Sequence, residues 1–142
     1  MVEINKINSD TLFLRSKLRL DLDLDRVPII REIIPIENVG IECLSIKRID
    51  DTAPQQSSNI FLENAVNCWV SGIESTNCTF GHITIASSSN IQVRRSYFHD
   101  GFDYGGNGRA YGIVLQFTSG ECLIENIQSF ETFCLASSRR QW

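Results

Sequence analysis

The residues best suited to chemistry lie in one stretch, YFHDGFDYGGNGRAY at positions 97–111. The stretch combines a histidine and aspartates with an arginine, aromatic rings and glycines that permit sharp bends. A polysaccharide lyase needs a cation to neutralise a uronate carboxylate and a base to remove the neighbouring C–H proton. Basic side chains of the right type in and just before this stretch are Arg94, Arg95, His99 and Arg109, which we predict as the catalytic set.

Aromatic residues in and before the same stretch suit sugar binding. We predict Tyr104 and Tyr111 as surfaces on which sugar rings stack. Trp69 lies between Cys68 and Val70, so alternation directs its indole outward if those two residues face inward. An outward Trp69 is a candidate sugar-binding residue, and packing beneath a loop is the alternative that we favour.

The aspartates of the stretch support competing roles. Asp100 and Asp103 offer the oxygen ligands that Ca²⁺ prefers, so we predict them as a metal site. A glycoside hydrolase would instead need two carboxyl groups flanking the scissile bond. The adjacent pair Asp50 and Asp51 lies in a separate connection, which favours lyase chemistry over hydrolysis. The non-catalytic alternative for residues 99–101 is a turn in which the Asp100 side chain hydrogen-bonds to the nearby backbone.

An internal repeat determines which elements position these residues. Four segments, 34–46, 60–73, 83–98 and 113–127, begin 26, 23 and 30 residues after one another. Each segment opens with two apolar residues at i and i+2, in the pairs Ile34/Ile36, Ile60/Leu62, Ile83/Ile85 and Ile113/Leu115. A second pair follows a polar turn: Glu42/Leu44, Cys68/Val70, Ile91/Val93 and Cys122/Ile124, where Glu42 departs from the apolar pattern. This alternation predicts strands with one buried face.

The repeat predicts an all-β fold, a right-handed parallel β-helix of about four coils. The segments show no helical periodicity, so the chain has no place for the helices of βαβ crossovers. A β-sandwich is the competing architecture. Segments 2–7 and 12–18 alternate around NSDT and predict an antiparallel β-hairpin ahead of the coils. The predicted organisation is a hairpin and lead-in over 1–33, coils over 34–130 and an irregular tail over 131–142.

The turns and cysteines have structural explanations. Asn67 and Asn90 align in successive turns, where their amides can hydrogen-bond to each other or simply tolerate the turn geometry. The five cysteines include no CxxC pair, and His82 and His99 complete no zinc-like spacing. We therefore expect buried free thiols that act as small hydrophobic groups.

The segments PIENVGIECLSI, NCWVSGIES, HITIASSSNIQVRRSYFHDG and YGIVLQFTSGECLIEN together resemble the pectate-lyase-like right-handed parallel β-helix superfamily of bacteria. The resemblance implies an exported carbohydrate-active protein that acts on acidic polysaccharide by lyase-type β-elimination. The superfamily also includes glycoside hydrolases, tailspikes and adhesins, so a noncatalytic glycan-binding or structural role is the alternative. Its members usually carry more coils and a cap, so we expect this chain to be a fragment that associates with the remaining coils of a parent protein.

Composition limits the partners. A net charge of −4 disfavours a nucleic-acid partner. The apolar runs are too short for a membrane span, and the start MVEINKINSD lacks the apolar segment of a signal peptide. We therefore expect a polysaccharide partner, and a secreted or cell-surface location for the parent protein.

Overall fold

The computed structural model describes residues 2–18, 21–23, 25, 27–52, 57–104, 108–130 and 132–137, with the backbone alone for 133–137. The chain divides into two compact units, Met1–Ile33 and Ile34–Trp142. The regular elements are β-strands, so the protein is all-β. In the described part of the chain, no helix has the length and apolar character to cross a membrane.

The first unit contains an antiparallel hairpin. Strand β1 (Ile4–Asn8) pairs with β2 (Thr11–Leu14) around a tight turn in which Ser9 has a positive φ of 53°. The Arg15 amide extends the ladder by donating to the Glu3 carbonyl at 2.9 Å. The alternating segments on either side of NSDT therefore form the predicted hairpin.

The second unit consists of parallel strands. Its pairs run parallel throughout the described residues. They form a four-stranded sheet, a six-stranded sheet and a two-stranded sheet. The strands are β3 (Ile36–Glu37), β4 (Gly40–Glu42), β5 (Ser45–Lys47), β6 (Ser58–Glu63), β7 (Ala65–Val66), β8 (Trp69–Ser71), β9 (Glu74–Cys78), β10 (Gly81–Ala86), β11 (Gln92–Gly101), β12 (Tyr111–Gln116), β13 (Leu123–Phe130) and β14 (Phe133–Ser137).

Strands pair with their counterparts in the next repeat of the sequence. We name β3–β5 repeat 1, β6–β9 repeat 2, β10–β11 repeat 3 and β12–β13 repeat 4. In the four-stranded sheet the order is β6, β10, β12 and β14, and Ile83 pairs with both Ile60 and Ile113. In the six-stranded sheet Val93 pairs with both Val70 and Ile124. The predicted alignment of repeats 2 to 4 is therefore confirmed.

The predicted alignment of repeat 1 is wrong. Ile41, not Leu44, pairs with Val70, so the two repeats are 29 residues apart here rather than 26. Glu42 consequently faces outward and accepts a 2.8 Å hydrogen bond from the Trp69 indole Nε1. Ile41 takes the inward position and packs against the core. The apparent break in the apolar pattern at position 42 is an error of register by three residues, and a shift by an odd number exchanges the two faces of the strand.

The C-terminal segment also differs from expectation. Phe133–Ser137 forms strand β14, which pairs with β12 in the segment where the sequence predicts an irregular tail. The free edge of β12 supplies backbone groups that this segment can pair with. Residues 131 and 138–142 of that predicted tail lie outside the described residues.

The parallel sheets curl into a half-barrel around one apolar core. The members of each inward pair stack on their counterparts, because in-register parallel strands place equivalent side chains on the same face. Ile83, Ile85, Ile91, Val93 and Phe98 are fully buried in this way.

Sharp corners in left-handed backbone join the strands. Within a repeat the corner residues are five positions apart, as at Asn90 and Arg95. Corners of successive repeats lie in register, so their backbone amides continue the ladder: the Gly72 N–H donates to the Arg94 carbonyl at 3.1 Å. The two most regular columns are Asn38, Asn67, Asn90 and Glu121, with φ from 55° to 58°, and Cys43, Gly72, Arg95 and Asn126, with φ from 51° to 65°.

Small polar side chains follow several corners and point inward. Each donates to the carbonyl two residues earlier, and that carbonyl also accepts a backbone N–H from the preceding repeat. Such bonds run from Ser88 Oγ to the Ala86 carbonyl at 2.7 Å, from Ser96 Oγ to the Arg94 carbonyl at 3.0 Å, and from Cys68 Sγ to the Val66 carbonyl at 3.3 Å.

The Asn67 and Asn90 amides form the interaction that their alignment suggests. Asn90 Nδ2 donates to Asn67 Oδ1 at 2.6 Å, and both residues have a φ of 55°. Both alternatives therefore hold, because the residues occupy left-handed corners and bond to each other. Among the cysteines, Cys68 and Cys78 are free buried thiols as expected, whereas Cys43 is free but exposed at a corner.

Replacing Ser88 by alanine should destabilise the second unit. Ser88 Oγ accepts the buried Ala65 N–H at 3.0 Å while donating to the Ala86 carbonyl, so Ser88→Ala leaves both groups without that partner. We expect a loss of about 1–3 kcal/mol in the free energy of unfolding, measured by chemical denaturation. The exposed Ser45→Ala serves as control and should stay within about 0.5 kcal/mol of the parent. Equal stability of both variants would contradict the role of Ser88.

Candidate functional site

A shallow groove of about 380 Å³ lies on the outer surface where β11 bends. Arg95 forms the bend with a φ of 51°, and the outward residues Tyr97 and His99 follow it along the strand. Repeats 2 and 4 border the groove on either side of β11. The residues that line it are Gly72, Ile73, Glu74, Arg95, Ser96, Tyr97, Asn126 and Gln128.

An aromatic and a cationic group meet in this groove. The rings of Tyr97 and His99 stack with their centroids 4.6 Å apart and their planes at 22°. The Arg95 guanidinium is exposed and donates through Nη2 to Ser71 Oγ at 3.1 Å. Since a guanidinium has five N–H donors, most of its capacity to bind a carboxylate stays available.

His99 lies between two carboxylates at the end of this row. Its Nδ1 is 2.9 Å from Asp100 Oδ2, and its Nε2 is 3.3 Å from Glu74 Oε1 and 3.0 Å from Thr76 Oγ1. Nε2 can donate to Glu74 only when it carries a proton, and it can accept from Thr76 only when it does not. Nε2 therefore has a hydrogen-bond partner in either arrangement.

The remaining basic residues of the predicted catalytic set lie apart from the groove lining. Arg109 pairs with Asp103 in the connection between β11 and β12, which we call the enlarged loop. Arg94 lies on β11 in register with Ser71 and Glu125, and its buried Nε has no hydrogen-bond partner among the described residues. Of the predicted set, the structure brings Arg95 and His99 to the same outer face.

The predicted sugar-stacking residues are separate from one another. Tyr104 accepts the Gly101 N–H through its hydroxyl at 2.6 Å. Tyr111 packs edge-on against Phe80 with the ring centroids 5.6 Å apart. Trp69 faces outward between buried Cys68 and Val70, and its indole covers Gly40 so closely that a Cβ there would overlap it. The indole of Trp69 is therefore packed, but against strand β4 rather than beneath the loop that its sequence position favours.

The predicted metal ligands Asp100 and Asp103 bond to different partners, His99 and Arg109 respectively. Within the described ranges, no group of three or more His, Cys, Asp or Glu side chains is arranged to hold a metal ion. The Thr52 hydroxyl and, less strongly, the Thr52 amide lower the pKa of Asp50. A lowered pKa disfavours Asp50 as the general acid of a hydrolase.

A polar chain leads from the half-buried Arg48 to the buried His82. Arg48 Nε donates to Asn59 Oδ1 at 3.0 Å, Asn59 Nδ2 donates to Ser75 Oγ at 2.9 Å, and Ser75 Oγ is 2.9 Å from His82 Nδ1. His82 is fully buried and stacks on Phe98 at 5.4 Å. Burial and, to a lesser degree, the nearby His99 lower the pKa of His82 from 6.5 to about 4, although Asp100 opposes the shift.

Sequence reasoning missed several residues of the groove. Glu74, Asn126 and Gln128 belong to other repeats than Arg95 and reach it only through parallel pairing. The signal that could have found them is the repeat itself, since Glu74 and Gln128 occupy the position of Tyr97 in the neighbouring repeats.

Comparison of the chain with protein-family models, curated proteins and solved structures finds no match. Function must therefore be inferred from the geometry of the site.

His82 should make the protein acid-labile. The folded state favours the neutral ring, so the stability that His82 contributes is present above pH 6.5 and is lost as the pH falls through 4. The loss amounts to about 3 kcal/mol. His82→Leu should flatten the decline of the unfolding free energy between pH 6.5 and 4, measured by urea denaturation.

The other histidine supplies the control, since the chain contains two. His99→Gln should preserve the steep decline, because His82 remains buried in that variant. An unchanged pH profile in His82→Leu would show that the buried ring does not govern acid stability.

Proposed function

We propose that the second unit is a portion of a right-handed parallel β-helix that binds acidic polysaccharide in the groove at Arg95. The observation that carries the proposal is the pair formed by Arg95 and the outward Tyr97 in the groove lining, with the His99 ring stacked on Tyr97. A guanidinium for a carboxylate beside an aromatic face for a sugar ring is the combination that uronate recognition requires.

The β-helix assignment is supported by the parallel pairing of each repeat with the next. Repeats 2, 3 and 4 keep their inward residues in register, as at Val70, Val93 and Ile124, and corners recur at equivalent positions. Relationship to the pectate-lyase-like superfamily is part of the same proposal. Because acidic polysaccharides of the kind that this superfamily binds lie outside cells, the proposed location of the parent protein is secreted or at the cell surface.

The shallow shape of the groove and the contacts of the basic residues near it favour binding over catalysis. It is shallow, and both nitrogens of His99 already lie within hydrogen-bonding distance of side chains of the protein. Arg109, the cation of the enlarged loop, is paired with Asp103. The noncatalytic glycan-binding role is therefore the function that the geometry supports best.

Lyase-type β-elimination is the second candidate. It is favoured by the position of Arg95 and His99 on one face with Tyr97 between them, and by the Asp100 carboxylate 2.9 Å from His99 Nδ1. Arg95 would neutralise the uronate carboxylate, and Nε2 of His99, once released from Thr76 and Glu74, would remove the C5 proton. The C4–C5 double bond would form as the C4–O bond breaks, and the departing sugar oxygen would take a proton from water or from the protonated His99.

Removing the guanidinium of Arg95 should weaken binding to acidic polysaccharide. Arg95→Asn keeps a residue that tolerates left-handed backbone, as Asn126 does at the next corner, and eliminates the charge. We expect affinity for acidic oligosaccharides to fall roughly tenfold or more, measured by isothermal titration calorimetry. Arg95→Lys should show an intermediate loss, because it keeps the charge without the planar fork.

The exposed Lys47→Ala removes a positive charge of the second unit that lies outside the groove lining, and it should leave affinity within about twofold. Equal affinities of Arg95→Asn and the parent protein, with both variants folded by circular dichroism, would rule out the groove as the binding site.

The two candidate functions differ in their products. A lyase releases unsaturated uronides that absorb ultraviolet light, and His99→Gln should abolish this release while leaving binding within about twofold, since a base acts in the transition state rather than in ground-state binding. Binding without any rise in absorbance over pectate, alginate or glycosaminoglycans would eliminate the lyase and leave the binding role.

A further inference from the structure

Three successive repeats cross the groove, and each contributes to it at the same two positions. One position is a left-handed corner, with φ between 51° and 65°, and the other is the outward residue two places later. In the order of stacking, the pairs are Gly72 and Glu74, Arg95 and Tyr97, and Asn126 and Gln128.

These pairs form evenly spaced subsites along the direction of stacking. Neighbouring strands lie about 4.8 Å apart, and an extended chain of pyranose sugars advances by a similar distance per ring. One sugar ring can therefore face each repeat. The groove volume of about 380 Å³ falls in the range of small-molecule sites and suits a short run of sugars.

The charge of the groove changes from one subsite to the next. Repeat 2 presents the Glu74 carboxylate, with half of its side chain exposed, and no side chain at Gly72. Repeat 3 presents the Arg95 guanidinium, and repeat 4 presents only the amides of Asn126 and Gln128. A ligand carboxylate is attracted at the middle subsite and repelled at the first.

Glu74 suits an uncharged sugar. A carboxylate accepts hydrogen bonds and donates none, so it pairs with hydroxyl or acylamino N–H groups of a neutral ring. The side-chain amides of repeat 4 both donate and accept, and they can bind the same kind of ring.

We infer that the groove takes a linear polysaccharide in which uronate residues alternate with uncharged or N-acylated sugars. The inference rests on the proposed glycan-binding function and narrows its ligand. A homopolyuronate fits less well, because placing one carboxylate at Arg95 places the next beside Glu74.

The test compares two probes of equal length, an oligosaccharide of alternating glucuronate and N-acetylglucosamine and an oligogalacturonate. The parent protein should bind the alternating probe more tightly in calorimetry. Glu74→Gln keeps an acceptor for His99 and removes the charge, so affinity for oligogalacturonate should rise about fivefold. Affinity of that variant for the alternating probe should not rise, since no ligand carboxylate faces position 74 and the Gln amide oxygen is a weaker acceptor for the uncharged sugar than the Glu74 carboxylate.

Glu125→Gln removes a carboxylate that lies beside Arg94, outside the groove lining, and should change neither affinity. Preference of the parent protein for oligogalacturonate, or no gain from Glu74→Gln, would overturn the inference while leaving acidic-glycan binding intact. Failure of both probes to bind would instead refute the proposed function and this inference with it.

Discussion

Left-handed backbone at the corners is the constraint on which the second unit depends. Its short parallel strands stay in register only if every repeat turns at the same place, and a one-residue corner requires positive φ. Residues such as Asn38, Arg95 and Asn126 accept this conformation at a cost of about 1–2 kcal/mol each. Ladder hydrogen bonds that continue through the corners, and the inward hydroxyls of residues such as Ser96, offset that cost.

The same constraint explains how much of the fold the sequence reveals. Alternation reports inward positions directly, so the pairing of Ile60, Ile83 and Ile113 could be predicted. Repeat 1 could not be aligned, because strands of two or three residues contain too little alternation to distinguish Ile41 from Glu42 as the inward residue. Residue type does not mark the corners either, since Asn, Gly, Cys, Arg and Glu all occupy them.

Only part of the candidate site could be predicted from the sequence. Arg95 and His99 could be recognised by type, since a cation and a base are scarce among the apolar and small residues of the repeats. Their neighbours Glu74 and Gln128 are ordinary polar residues in sequence, and only parallel stacking brings them to the groove. Composition instead pointed to the enlarged loop, where the charged groups of Asp103 and Arg109 are satisfied by each other.

The central claim is that three stacked repeats form one binding surface, and nuclear magnetic resonance titration tests it most directly. Adding an acidic oligosaccharide to isotope-labelled protein should shift the backbone amide signals of Gly72, Tyr97 and Asn126 together, at one common dissociation constant. These residues belong to different repeats and meet only in the groove. Shifts confined to the described loop residues 102–104 and 108–110, with the groove signals unmoved, would contradict the account.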